Sequence, residues 1–410
     1  MGRERRKSGV HLRSADSRRR ASESGFPVGG GFLPRAELLA REFAKRAGEH
    51  DRHGSFPFEN FKLLKESGLL GLTVPRQYGG GGAGLAQTVE VLGALAQGDA
   101  STALVLAMQY VMHATIARSQ TWPARIREML AHEAVARGAL INALRVEPEL
   151  GTPARGGMPA TVARQLEQGW SISGHKIYST GIPVLSWLMV WGRTEESRPR
   201  VGTFLVPAAA QGIRIVETWD HLGMRASGSN DVIFEETPIP GDYAVDIREP
   251  RAWSAPDAEQ AAWYTLPIAA LYDGVARAAR DWLVSYLTER IPTALGAPLS
   301  TLPRFQEAVG EIDARLLTNR ILIETAASRA DRGQPPSAGE SGLIKMTVTA
   351  NAIAAVERAV ELTGNPGLRR ANPLERHLRD VLCSRIHTPQ NDSVLIAAGQ
   401  AAFRSVRKED

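Results

Sequence analysis

A single cysteine, Cys383, occurs in 410 residues, which excludes an internal disulfide framework and any cysteine-ligated zinc cluster. No apolar run approaches the roughly eighteen residues that a membrane-spanning helix needs, so no membrane partner is expected, and a soluble, cytoplasmic protein is. Net charge is also missing from most of the chain. The formal excess is +5, and residues 1–25 hold all of it, with seven arginines and one lysine against three acids. A balanced body argues against nucleic acid, because duplex binding spreads basic residues over a folded face. Residues 1–29 read as a disordered basic tail: they are too polar to bury a core, and they lack the apolar segment of a secretory signal.

What is present is ample apolar material for a large core, 43% of residues, with 23% charged. Residues 30–145 carry apolar side chains at three- and four-residue spacing, as in FLPRAELLAREFAKRAGEH, and read as an α domain. A glycine-rich run from Gly79 to Gly84 precedes two of its helices; alone it is weak evidence for phosphate and reads as a turn. From 146 to 250 the period changes. WSISGHKIYST, WLMVWGRT, RVGTFLVP, GIRIVE and SNDVIFEETPIP are short β-branched or aromatic runs bounded by Gly, Pro, Asn and Asp, which predicts an antiparallel β domain. Helical periodicity returns over 251–410. The expected class is α+β, with a helical domain, a central β domain and a helical bundle in that order.

Five stretches then add a second kind of information: VPRQYGGGGAG, VEPELGTP, GHKIYSTG, HLGMRASGSNDVIFEETPIP and ELTGNPGLRRANPLERHLRD. In this order they resemble the acyl-CoA dehydrogenase superfamily, over about residues 56–403. The resemblance implies that family's fold, closing in a four-helix bundle, and a flavin cofactor, FAD or FMN. It also implies a small-molecule substrate and a homotetramer or homodimer whose flavin sites are completed across subunits. By the same resemblance Tyr178 is the aromatic stacked on the flavin, in place of the usual Trp, and Thr180 donates near N5. Arg145, Val146, Gly151 and Thr152 would line the ring and the diphosphate, Val146 standing where the family has Thr. Arg290, Gln306, Gly364 and Gly367 would reach the diphosphate of a neighbouring subunit, with Asn365 replacing one glycine of a pair. These residue types suit the chemistry, since a flavin needs an apolar wall on one face and donors along its polar edge.

Dehydrogenation of an acyl thioester requires a carboxylate base alpha to the carbonyl. The two places where the family keeps that glutamate are occupied here by Thr388 and Tyr264, neither of which is a base near neutral pH. Ala262 and Thr265 stand where the family meets the CoA portion with Asp and Arg. Instead, RIHTPQ resembles the Leu-His-Asp-Pro segment of dibenzothiophene monooxygenase and its relatives, which take reduced flavin from a partner reductase. His387 then fits an acid in oxygen chemistry and Thr180 a donor, with His113 as a second active-site histidine. A lone histidine on an apolar helix is also commonly a satisfied core residue, which applies to His113. The catalytic set is therefore His387, His113 and Thr180, with no metal ligands. The leading expectation is a reduced-flavin-dependent monooxygenase of a small aromatic or heteroatom substrate, served by a separate flavin reductase. The alternative is a dehydrogenase of an acyl-CoA or acyl-carrier substrate with a non-standard base, Asp273 or Glu361, and a third is a nucleic-acid-associated relative. Met108, Tyr110, Trp253 and Trp263 suggest a flat or bulky ligand.

Overall fold

A computed structural model describes residues 31–150, 157–253 and 256–406. The first helix, α1 (Phe32–His53), buries Ala36, Leu39, Ala40, Phe43 and Ala47, the three- and four-residue stripe visible in the sequence. Gly54 ends it in the left-handed conformation, φ 62°. After α2 (Phe58–Glu66) come α3 (Leu85–Gly98), α4 (Ala100–Arg118) and α5 (Ala124–Arg137). The carboxylate of Asp99 caps α4, accepting from the backbone N–H groups of Ser101 (3.1 Å) and Thr102 (3.4 Å). By length and composition α4 is the one helix among the described residues apolar enough to cross a membrane, and most of it is buried inside the fold.

The strands are β1 (Leu140–Leu144), β2 (Val162–Leu166), β3 (Gly169–Lys176), β4 (Leu185–Thr194), β5 (Val201–Pro207), β6 (Ile213–Val216), β7 (Asp231–Ile239) and β8 (Ala244–Arg248). They form one sheet in the order β6-β7-β3-β2-β4-β5-β8, with β1 also against β4. The expectation of an antiparallel domain needs correction. β1 and β2 both pair with β4 in parallel, Leu144 opposite Val190 and Ala163 opposite Thr194, so the sheet is mixed. The parallel pairs join segments tens of residues apart, a relation that local alternation does not encode. β1 also lies ahead of the expected boundary at 146. Four of its five residues are buried, so it shows no alternation to mark it as a strand.

The C-terminal part comprises α6 (Ala258–Glu289), α7 (Pro303–Asp331), α8 (Ala338–Thr363), the single turn α9 (Asn365–Leu368), α10 (Leu374–Leu382) and α11 (Asn391–Val406). The expected bundle is made by α6, α7, α8 and α10, and α3 also packs on α6. At that crossing a Cβ on Gly274 would sit 2.4 Å from the carbonyl oxygen of Gly93, so only glycine allows the approach. One apolar core runs through all three regions, from Phe43 and Leu92 through Leu188 and Phe204 to Tyr272 and Val356. The sheet and the two helical parts are thereby fixed against one another.

Candidate functional site

The loop after β3 is the first wall of the site. Ile177 donates its N–H to the carbonyl of Val146 (3.0 Å), which brings the segments 145–147 and 177–180 together. Tyr178 has φ 57°, in the left-handed region that a bulky side chain rarely adopts, and its ring is 54% exposed. Trp219 and His221 flank that ring edge-on, stacked on each other at 3.7 Å. A strained backbone that turns an aromatic ring outward fits the platform expected of Tyr178.

Thr180 is held from two sides. Its carbonyl accepts from Asn142 Nδ2 (3.0 Å), and its Oγ1 accepts from the hydroxyl of Ser229 (3.0 Å). Ser229 is itself 2.8 Å from Ser227 Oγ. Because Ser229 donates to Thr180, the Thr180 proton remains free to point out of the protein as a donor. Sequence reasoning named Thr180 and missed both serines, which come from the turn before β7; the hydroxyl-rich SGSN was the available signal.

Beneath Val146 lies a buried ion pair. Lys176 and Glu147 are both nearly inaccessible, and the Lys176 ammonium donates to Glu147 Oε1 (2.6 Å) and to the Trp191 carbonyl. Glu147 also accepts from Ala160 N (2.7 Å), Thr161 N (3.0 Å) and Thr161 Oγ1 (2.6 Å). Burial pushes Glu147 up, but these hydrogen bonds outweigh it and leave the carboxyl below its ordinary range. Arg145 lays its guanidinium over the Trp191 ring at 4.6 Å, on the side of the loop near Tyr264. Gly151 and Thr152 lie outside the described residues, as does the basic tail.

His387 forms the second wall, at the end of a short 3-10 turn (Cys383–Ile386). It is half-buried, and its Nε2 is 2.7 Å from the hydroxyl of Tyr272, a fully buried residue of α6. Lys345 of α8, also fully buried, donates to the carbonyl oxygens of His387 (2.8 Å) and Pro389 (3.1 Å). Burial, and then the Lys345 charge, push His387 down to about 4. The ring is therefore neutral near pH 7, which recasts the expected acid as a neutral N–H donor. The two walls meet through α10. Asp380 accepts from the N–H of Met224 (2.7 Å), in the same loop as Ser227 and Ser229, and its charge acts on Tyr272. Burial raises Asp380 to about 7.

The other candidates fall elsewhere. His113 is buried on α4, its Nε2 has no hydrogen-bond partner among the described residues, and burial pushes it down to about 4. Among the described residues it makes no hydrogen bond to Thr180 or His387. Tyr110 is core: fully buried, it donates to the Leu69 carbonyl (2.8 Å). Arg290 and Gln306 are exposed at the end of α6 and the start of α7, joined by a loop in which Leu299 N–H donates to the Arg290 carbonyl (3.0 Å). Gly364, at φ 62° and ψ −134°, has a conformation open only to glycine, and a Cβ there would meet nothing within 4 Å. Gly367 is buried, its position dictated by Thr363 Oγ1, 2.2 Å from where a Cβ would be. The amide of Gln306 donates to the Ser300 carbonyl (3.0 Å). Neither proposed base is free. Asp273 is paired with Arg277 (3.0 Å) and accepts from Asn319 (3.0 Å), while Glu361 is on the surface with Arg358 (2.7 Å).

Comparison with known proteins gives this geometry its family. Three family descriptions match in chain order: acyl-CoA dehydrogenase, N-terminal domain (residues 35–121), middle domain (145–237) and C-terminal domain (266–391). The putative acyl-CoA dehydrogenase YdbM of Bacillus subtilis is 32% identical over 91% of this chain and 97% of its own length. L-evernosamine nitrososynthase of a Micromonospora species is 30% identical over 90% of this chain and 88% of its own. The solved structure of KijD3 in complex with FMN and dTDP-3-amino-2,3,6-trideoxy-4-keto-3-methyl-D-glucose superposes with a TM-score of 0.79 at 28% identity. It covers 93% of this chain and 95% of that one. The chain belongs to the acyl-CoA dehydrogenase family of flavin-dependent oxidoreductases.

Proposed function

We propose that this protein is a reduced-flavin-dependent monooxygenase acting on a heteroatom of a small substrate, with a separate reductase supplying the reduced flavin. The observation that carries the proposal is the pairing of His387 with Tyr272, directly before Thr388, one of the two positions where the family keeps its glutamate, with Asp273 and Glu361 both committed to other partners. Bound reduced flavin supplies two electrons to oxygen, one of whose atoms goes to the substrate and the other to water. Thr180, its lone pair already engaged by Ser229, offers its proton at the polar edge of the ring. His387 offers a neutral N–H and adds no negative charge, which suits a site where negative charge develops on oxygen. Tyr178 supplies the apolar face, and Arg290, Gln306 and Gly364 of a second copy complete the diphosphate site. A nitrogen atom is the favoured oxidation centre. The similarity to nitrososynthases supports it, and FMN is supported by the same set.

The similarity to YdbM favours the competing reading, a dehydrogenase. One experiment separates them. Flavin-loaded protein is mixed anaerobically with acyl-CoAs of several chain lengths; the proposal expects the oxidised flavin absorbance to persist. A second arm reduces the flavin, adds oxygen and follows hydrogen peroxide. Slow release from the native protein and fast release from His387→Ala are expected. Rapid bleaching by an acyl-CoA with no reductase present overturns the proposal.

A further inference from the structure

Lys345 is a buried lysine that makes no ion pair among the described residues, unlike Lys176. It sits in an otherwise apolar stretch of α8, GLIKMTVTANAIAAV, where a leucine or methionine would fill the same space without desolvating a charge. Among the described residues its two hydrogen-bond partners are both backbone carbonyls, those of His387 and Pro389, which flank Thr388 more than forty residues downstream. From the opposite side Tyr272 of α6 engages the ring of the same histidine. We propose that Lys345 and Tyr272 are positioning residues acting through His387. Lys345 anchors the backbone of 387–389, and Tyr272 occupies Nε2, so that Nδ1 is the nitrogen presented to a ligand. The inference rests on the reading of His387 given above and adds the groups that set its orientation and protonation.

The surroundings of Tyr272 point to one tautomer. Among the described residues Tyr272 Oη has one partner, His387 Nε2, and burial, with Cys383 and Asp380 nearby, holds the phenol well above its ordinary range. A phenol that keeps its proton donates it to Nε2, and the imidazole proton is then on Nδ1. Nδ1 makes no hydrogen bond among the described residues and is not among the buried unpartnered atoms. The charged and titratable groups facing this histidine are Tyr272 from α6, Lys345 from α8, and Asp380 and Cys383 from the α10 side, which act through Tyr272. Of these only Lys345 is positive near neutrality: burial lowers it to about 8, which leaves it mostly protonated there, so its removal raises the proton affinity of the ring.

The test uses the full chain without flavin, so that its result does not depend on oxygen or acyl-CoA chemistry. Histidine carrying isotopic labels at the ring carbons and nitrogens is followed by NMR, with His387 assigned by its loss in His387→Gln. The native resonance is expected not to titrate between neutrality and about pH 5, and to report the Nδ1–H tautomer. Lys345→Met should raise the protonation constant of His387 at least tenfold, whereas Lys345→Arg should restore the native curve. Tyr272→Phe should shift the ring toward the Nε2–H tautomer while the melting temperature changes little. If Lys345→Met does not fold, the tautomer in native and Tyr272→Phe proteins still decides. A native ring found as Nε2–H, or a His387 titration unchanged by Lys345→Met, overturns the proposal. Loss of the monooxygenase reading with these signatures intact would leave the positioning role standing for a different reaction.

Discussion

Replacing Lys176 with methionine removes the cation from the most enclosed ion pair among the described residues and leaves Glu147 behind. The carboxylate keeps three hydrogen bonds, from Ala160 and Thr161, but loses its countercharge, and the Trp191 carbonyl loses its donor. Stranding one partner of a buried pair costs ~3–5 kcal/mol, and the surviving hydrogen bonds place this case at the lower end, ~3–4 kcal/mol. At roughly 2 °C per kcal/mol, the lower value for larger domains, the melting temperature should fall by ~6–8 °C. Two signatures distinguish this mechanism from a simple packing defect. The native pair holds Glu147 below its ordinary range, so the contribution is present above the unfolded value of 4.5 and fades as pH falls through the folded one. In Lys176→Met the carboxyl loses its countercharge while burial still favours the neutral form, so it can protonate and the penalty should shrink on acidification. Lys176→Met/Glu147→Gln, with no charge to strand, should recover part of the loss. Calorimetry of the three proteins across pH measures all of this, and bound flavin should fall in the single variant, because Glu147 directly follows Arg145 and Val146. A melting temperature within ~1 °C of native, or a deficit that grows on acidification, would refute the argument.

Acidification of the native protein should itself be destabilising. His113, His377 and His387 are pushed from 6.5 to about 4, 3 and 4, so the unfolded chain binds their protons first and stability falls as pH drops below 6.5. Asp380, raised to about 7, opposes this, leaving a net uptake of about two protons and a slope of at most ~2.7 kcal/mol per pH unit. Urea midpoints that stay flat between about pH 7 and about pH 5 would contradict those burial effects. Arg290→Ala should lower flavin occupancy and weaken the oligomer by losing a charge-assisted contact of order 1.5–3 kcal/mol, read by absorbance and sedimentation. Unchanged flavin content would remove Arg290 from the site. Gly223→Ala would place a Cβ 2.3 Å from the Arg379 carbonyl, so the 219–229 loop must shift, at ~1–3 kcal/mol. A crystal structure of that variant with Ser229 still on Thr180 would show that the loop is not the support assigned to it.

The order of helices, strands and helices was legible because each region shows its own period along the chain. The parallel pairs of β4 were not, since they depend on where β1 and β2 end up after folding. The same division runs through the site. Tyr178 and Thr180 stand out from a motif of consecutive residues, but Ser229, which orients Thr180, arrives from 49 positions away. His387 could be picked out because it precedes Thr388, which stands where the family has a carboxylate. Its charge state could not, because it follows from burial by the folded chain and from Lys345, which arrives from 42 positions away. One local signal was available for Lys345: a single charged residue inside an apolar helical stretch is a candidate for a buried, committed ammonium.

A dehydrogenase on this scaffold needs a carboxylate that can reach a substrate and give its proton up again. The acids close to the helices of the site are structural. Asp273 is tied to Arg277 and to Asn319, whose amide also reaches the Val348 carbonyl and accepts from Asn351, so moving Asp273 would break a chain of contacts across α6, α7 and α8. Burial raises its proton affinity above the ordinary carboxylate value, which makes it basic without making it available. Asp380 holds the Met224 backbone and with it the loop that carries Ser229. In the proposed site, what is left to face a ligand is a hydroxyl with one lone pair engaged and an imidazole pushed toward its neutral form. Such groups stabilise charge growing on an oxygen atom but cannot store a proton taken from carbon near neutral pH, and this asymmetry favours oxygen transfer over dehydrogenation.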